Sequence, residues 1–276
     1  MWPFSAASSS AGSASPAHPY YPTTATIGGG YTPNTLSTPT LLAIFATGCT
    51  AILGATSLGV PRLAARRGIR LSYADLGTVM WFVLCGFIHT FFEGYFAYNF
   101  RAMGSLQDIF GQLWKEYSLS DSRYLTKSAP VLCIEAFTAI FWGPLSFLIA
   151  YFVTTDHPLR HPLTILVSSG QLYGTVLYFA TAVFDETIYG KAYSRPEPYY
   201  FYGYYILMNG FWIVIPATVI FNSFKAWTRT VEALILLDQE VQQSQRAPHQ
   251  VHYSSPAPSI AYSTGSSQSG KSKKRA

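Results

Sequence analysis

His89 and Glu93 lie at the centre of an apolar run, WFVLCGFIHTFFEGYFAYNF (Trp81–Phe100). An acidic side chain at a bilayer centre costs roughly 2.5–3.5 kcal/mol on insertion scales, so a segment that keeps one has a chemical use for it. Four-residue spacing puts both groups on one helix face. Paired in this way within apolar surroundings, they point to proton chemistry on a lipophilic substrate. Other apolar runs carry their own polar pairs. Glu135 lies three residues before Thr138 in CIEAFTAIFWGPL, Gln171 lies four before Thr175 in SSGQLYGTVLYF, and Asn209 lies three before Trp212 in YYILMNGFWIVIP. Each pair shares a helix face and can point into a common cavity. An isolated Asn, Gln or Thr in such a segment ordinarily serves as interhelical glue. Two buried carboxyls beside one imidazole are different, because they are compatible only if protons are shared.

Helices long enough to cross a membrane must position these groups. The chain is 49 % hydrophobic and only 11 % charged, against about 25 % charged for an ordinary soluble domain. Its apolar residues are bunched into blocks of about 20, enough to cross a hydrocarbon core of roughly 30 Å as a helix. The predicted fold is an all-α, polytopic five-helix bundle, with spans near Pro39–Val60, Tyr73–Phe100, Ala129–Val153, Leu163–Phe184 and Tyr199–Phe224. Aromatic residues near span ends (Trp81, Tyr98, Trp114, Tyr117, Tyr151, Tyr199, Tyr200, Tyr202 and Trp227) read as interface belts.

Residues 1–38 are rich in Ser, Ala, Pro, Thr and Gly, with a Gly28–Gly30 run, and are expected to be disordered. No basic-then-apolar leader is visible there, so the first span reads as an uncleaved anchor. The membrane domain covers 39–226. Residues 227–276 read as a helical extension, TRTVEALILLDQEVQQSQ, followed by a disordered basic tail.

Charge counting sets the orientation. Alternate inter-span segments carry twelve Lys and Arg on one side and six on the other, which puts the N-terminus in the lumen and the C-terminus in the cytosol. The net charge of +5 thus reads as topology and not as nucleic-acid binding. Lys273 and Lys274, in the terminal KKRA, resemble a di-lysine retrieval signal of endoplasmic-reticulum membrane proteins.

Several chemistries find no residues to support them. Of the six His, three lie in the terminal segments, and His157 and His161 sit in a proline-flanked loop, which leaves too few nitrogen ligands for a membrane di-iron centre. Cys49, Cys85 and Cys133 each lie in an apolar segment without metal-ligand spacing or a disulfide framework. No phosphate loop, nucleophile elbow or dinucleotide fingerprint occurs. The expected site has no metal and no cofactor.

The blocks CGFIHTFFEGYF, LWKEYSLSDSRYL, CIEAFTAIFWGPLSF, HPLR, GQLYGTVLYF and YYILMNGFWIVIP occur in one order between residues 75 and 225. Together they resemble the emopamil-binding protein family within the EXPERA superfamily, the 3-beta-hydroxysteroid Δ8,Δ7-isomerases of sterol synthesis. The resemblance implies a five-helix bundle in the endoplasmic reticulum, with a sterol cavity and a ring double bond moved from C8–C9 to C7–C8 without redox cofactor or metal. It also implies an essential polar set at His89, Glu93, Glu135, Thr138, Asn209 and Trp212, with Gln171 and Tyr178 near the substrate. Asp121, Arg123 and Tyr124 (in SDSRY) are expected either to close the cavity mouth or to form an interfacial salt bridge. Thr175 departs from the family, where an Asp is common.

The implied partners are a Δ8 sterol, membrane lipid and lipophilic cationic amines that mimic a carbocation. Gly48 and Gly54 are the small residues on which a homodimer contact would rest. Two rivals remain: a non-catalytic sterol- or amine-binding protein on the same fold, and a proton-coupled transporter. The chain lacks the internal repeat expected of the latter.

Overall fold

The computed structural model describes residues 17–246. The di-lysine pair Lys273 and Lys274 lies outside them.

Five helices are long and apolar enough to cross a membrane. They are α1 (Thr38–Ala65), α2 (Tyr73–Asn99), α4 (Ala129–Thr154), α5 (Arg160–Tyr189) and α6 (Tyr199–Arg246). A short helix, α3 (Ile109–Tyr117), sits between the second and third spans. No strand occurs among the described residues. Each expected span falls within one of these helices to within a residue, because mean hydropathy over a bilayer's thickness is a strong signal.

Local chemistry sets the helix ends. Ser37 caps α1 by accepting from the Thr40 amide, with Pro39 in the first turn. Ser72 and Asp75 form a reciprocal capping box on α2. Gly190, at φ 63°, ends α5 in the left-handed region. Ile140, Val214 and Phe221 are exposed on their spans, as lipid-facing positions require.

Three of the spans contain a widened turn. It falls at Ile88–Glu93 in α2, Thr138–Trp142 in α4 and Tyr199–Met208 in α6. The Gly94 amide donates to the His89 carbonyl and the Gly143 amide to the Thr138 carbonyl, both five residues back. Pro144 follows directly and has no N–H to continue the normal ladder. Single widened turns of this kind frequently mark functional sites.

Glycine lets α2 and α4 approach closely at this level. A Cβ on Gly143 would lie 2.2 Å from Thr90 Oγ1, and one on Gly86 would lie 2.7 Å from the Phe147 ring. Small residues at such crossings are the usual way for membrane helices to pack. Here they bring Glu93 of α2 against Thr138 of α4. Along α2, the site falls between a cluster around Val79, Phe82, Cys85, Ile149 and Val167 and an aromatic one around Phe96, Trp114, Tyr124 and Tyr178.

Residues 17–37 differ from expectation: they are laid against the bundle. Tyr20 is buried and donates to the Lys115 carbonyl at 3.2 Å. The Gln112 side chain accepts from the Thr35 and Leu36 amides, each at 2.9 Å, and Lys115 Nζ donates to the Thr32 carbonyl at 2.8 Å. Gly29, at φ 78°, passes so close to Arg101 that a Cβ would lie 2.5 Å from its carbonyl oxygen. The segment cannot bury a core of its own, but α3 supplies fixed partners for its backbone.

The interface-belt reading also fails for Trp81, Trp114 and Tyr200, which are buried. Trp114 stacks on Phe92 and donates to the Phe92 carbonyl at 3.0 Å. Tyr98, Tyr151, Tyr199, Tyr202 and Trp227 are exposed. Gly48 and Gly54 meet nothing within 4 Å of an added Cβ, so neither supports a helix contact within the chain. The helix that begins at Asn209 runs on to Arg246. Among the described residues, 17–230 belong to one compact unit and 231–246 to a second.

Candidate active site

A cavity of about 850 Å³ opens among α1, α2, α3, α4, α5 and α6. Its wall is overwhelmingly apolar and aromatic, with a few polar side chains set into it. All six residues of the expected essential set line it, as do Tyr124, Gln171, Thr175 and Tyr178.

His89 and Glu93 form the first unit. His89 is 2 % exposed, and its Nδ1 lies 2.7 Å from Glu93 Oε2. Its other ring nitrogen, Nε2, lies 3.0 Å from Gln171 Nε2. The ring thus sits between a carboxyl at Nδ1 and an amide at Nε2, and the amide can present either its N–H or its oxygen to the ring. Gln171 Oε1 is buried without a partner. Turning the amide over would bring this oxygen to face Nε2, where it would accept from an imidazolium. One residue therefore serves both charge states of His89.

Thr138 does the same for Glu93. Its hydroxyl touches Glu93 Oε2 and also lies 2.8 Å from the Glu135 carbonyl, one turn back on α4. A hydroxyl has one proton and can also accept. When Glu93 is ionised, Thr138 donates to it. When Glu93 is protonated, Thr138 accepts from it and donates to the carbonyl.

Glu135 is the second unit. It is buried, lines the same cavity and accepts from Tyr124 Oη at 2.7 Å. Tyr124 is held by tilted and edge packing on Trp114, Phe96 and Tyr117.

The remaining candidates fall in two groups. Trp212 packs with its ring centroid 6.3 Å from that of His89 and 5.4 Å from that of Trp81, and its indole N–H is buried and unpartnered. Asn209 does not reach the carboxyls. It donates to Tyr117 Oη at 3.0 Å and to the Tyr205 carbonyl at 2.8 Å. It thereby fixes Tyr117, a cavity-lining residue on α3 that sequence reasoning had left in an interface belt.

Asp121 and Arg123 neither line the cavity nor close its mouth. They form a buried ion pair, with Nη2 2.6 Å from Asp121 Oδ2. The Arg123 guanidinium also donates to the Tyr178 carbonyl and to Thr181 Oγ1, and it sits 4.5 Å over the Tyr178 ring. Their absence from the cavity wall speaks against the mouth-closing role; the expected salt bridge forms, with both partners buried, and the pair holds Tyr178 in the wall. Tyr178 Oη is itself buried without a partner. Thr175 lines the cavity and turns its hydroxyl back to the Gln171 carbonyl at 3.0 Å. Among the described residues no cluster of His, Cys, Asp and Glu has the arrangement of a metal site.

Fold and site together define a multi-pass membrane protein with an apolar cavity that has the His89–Glu93 pair and Glu135 in its wall. The family model for EBP, the EXPERA (expanded EBP) superfamily, matches residues 109–223. A 3-beta-hydroxysteroid-Delta(8),Delta(7)-isomerase of Rattus norvegicus is 38 % identical over 177 residues, covering 62 % of this chain and 74 % of the relative. The protein of the same name in Cavia porcellus is 34 % identical over 227 residues, covering 80 % and 94 %. Protoglabretal synthase MOI1 of Citrus sinensis is 38 % identical over 142 residues, covering 51 % and 65 %. The chain belongs to the EBP/EXPERA family.

Proposed function

We propose that this protein is a sterol Δ8→Δ7 isomerase that works by proton transfer alone. The observation that carries the reading is the pairing of His89–Glu93 with Glu135 in the wall of one apolar cavity, each with a hydroxyl or amide partner. The names of its relatives support the substrate class.

The reaction adds a proton to C9 of the C8=C9 bond, leaves a tertiary cation at C8 and removes a proton from C7 to give the C7=C8 bond. One proton enters and one leaves, so no oxidant or reductant is consumed. One unit holds a neutral acid for C9 and the other an acceptor for the C7 proton. Thr138 and Gln171, which can partner both protonation states, let the first unit change charge without leaving a buried group unpaired. The cation at C8 is stabilised by the carboxylate charge and by the Trp212 indole face, which is worth about 2 kcal/mol or more for a desolvated cation. A protonated lipophilic amine reproduces that cation and occupies the same place.

The protein acts in the endoplasmic-reticulum membrane, a reading supported by the terminal Lys273–Lys274 pair, with its N-terminus lumenal and its C-terminus cytosolic, supported by the distribution of Lys and Arg between alternate segments.

Expression in a yeast strain lacking Δ8-isomerase tests the reading. Growth with accumulation of Δ7 sterols is expected, and Glu135→Gln is expected to lose both that rescue and amine affinity. A well-expressed wild-type chain that leaves Δ8 sterols unconverted would overturn it.

A further inference from the structure

The cavity has a third carboxyl that the proton chemistry does not use. Glu116, on α3, is 7 % exposed and lines the same chamber as Glu93 and Glu135. No cation pairs with it among the described residues. Its neighbour Lys115 points away to the Thr32 carbonyl. Its only side-chain partners are two neutral hydroxyls, Thr38 Oγ1 on Oε2 at 3.1 Å and Tyr204 Oη on Oε1 at 3.2 Å. Each carboxylate oxygen therefore keeps acceptor capacity to spare. A buried, cation-free carboxyl on the wall of an apolar chamber is costly unless a ligand donates to it.

Its position along the bundle is also informative. Thr38 opens α1, Tyr204 lies in the first turns of α6, and both helices start on the side of the bundle that carries α3. Glu135 lies six residues into α4, which starts on that same side, and Tyr204 lies five residues into α6, so Glu116 and Glu135 line the same end of one chamber from different helices. An amphiphile with its polar end on Glu116 and its reacting bond a ring away would lie across that chamber. Towards the far end the wall carries Trp142, Trp212 and Gly170, and no charged group.

Building on the isomerase reading, we propose that Glu116 positions the substrate by accepting the hydrogen bond of the sterol 3β-hydroxyl, so that ring B falls between the two acid–base units. Burial pushes the Glu116 carboxyl above the usual carboxylate range, and the Thr38 and Tyr204 hydroxyls pull it back. A donating substrate hydroxyl acts in the same sense as those two.

The test compares a 3β-hydroxy Δ8 sterol with its 3-deoxy analogue on the purified full-length protein, wild type and Glu116→Gln. The preference in kcat/KM for the hydroxylated sterol is expected to fall about tenfold in the variant, mainly through KM. Loss of activity on both sterols by the same factor, or an unchanged preference, would overturn the role. Glu116→Asp keeps the charge but withdraws it by one methylene, and gives the same readout if the Gln variant folds poorly. Equilibrium binding of the 3β-hydroxy and 3-deoxy Δ7 sterols, read by tryptophan quenching, yields the same preference without turnover. A wild type that converts neither substrate would therefore count against isomerase activity, and the binding ratio would still decide for or against Glu116.

Discussion

Replacing Thr138 by Val removes one hydroxyl from the site and keeps the side chain's shape. In the wild type that hydroxyl touches Glu93 Oε2 and lies 2.8 Å from the Glu135 carbonyl. His89 Nδ1, 2.7 Å away, then remains as a partner of Glu93. A hydrogen bond to a charged buried group contributes about 1.5–3 kcal/mol net. If Glu93 changes charge during turnover, that amount is lost where the charge appears, and kcat should fall about 10- to 150-fold. Thr138→Ser restores the hydroxyl without the methyl and should recover activity to within about threefold of wild type. The assay is conversion of Δ8 to Δ7 sterol by purified protein in detergent, followed by gas chromatography with mass detection, with Tm measured on each variant to exclude unfolding. A Val variant within twofold of wild type, or a Ser variant as impaired as Val, would refute the two-state partnering of Glu93.

Other consequences concern stability. Asp121→Ala strands the Arg123 guanidinium in the interior and should cost about 3–5 kcal/mol, seen as a large drop in Tm in detergent; an unchanged Tm would contradict the structural role given to this pair. A Cβ on Gly170 would sit 2.2 Å from Trp142 Cζ2, so Gly170→Ala should destabilise by about 1–3 kcal/mol, whereas Gly48→Ala, in open space, should be neutral or slightly stabilising. Burial pushes the Lys115 ammonium down to about 8. Between pH 8 and the ordinary lysine value the unfolded chain holds a proton that the folded chain has released, so this group's contribution to stability rises with pH across that window. The difference in Tm between wild type and Lys115→Met should accordingly shift in favour of wild type from pH 8 to 10, and a flat difference would show that Lys115 is solvated.

The spans were legible because hydropathy over bilayer thickness leaves little freedom, and the His89–Glu93 contact was legible because four-residue spacing survives the local widening of α2. The widened turns themselves left no trace in periodicity. Those in α2 and α4 lie at the close crossing of the two helices, which is a tertiary matter. Lys115 and Glu116 lie between predicted spans, where charges ordinarily meet water, yet both are buried, one tied to the Thr32 carbonyl and the other facing the cavity. Composition alone marked residues 17–37 as unable to fold, which is correct for the isolated segment and misses the partners that α3 provides. Asp121 and Arg123 lie between spans, where two charges ordinarily meet water. Their mutual ion pair is what allows them inside.

The central claim is that buried side chains protonate a steroid double bond directly. Incubating a Δ8 sterol with the purified protein in deuterated water tests it most directly. A Δ7 product carrying one solvent deuterium at C9 is the predicted result, whereas a Δ7 product free of solvent deuterium at C9, or no Δ7 product from folded protein, would contradict it.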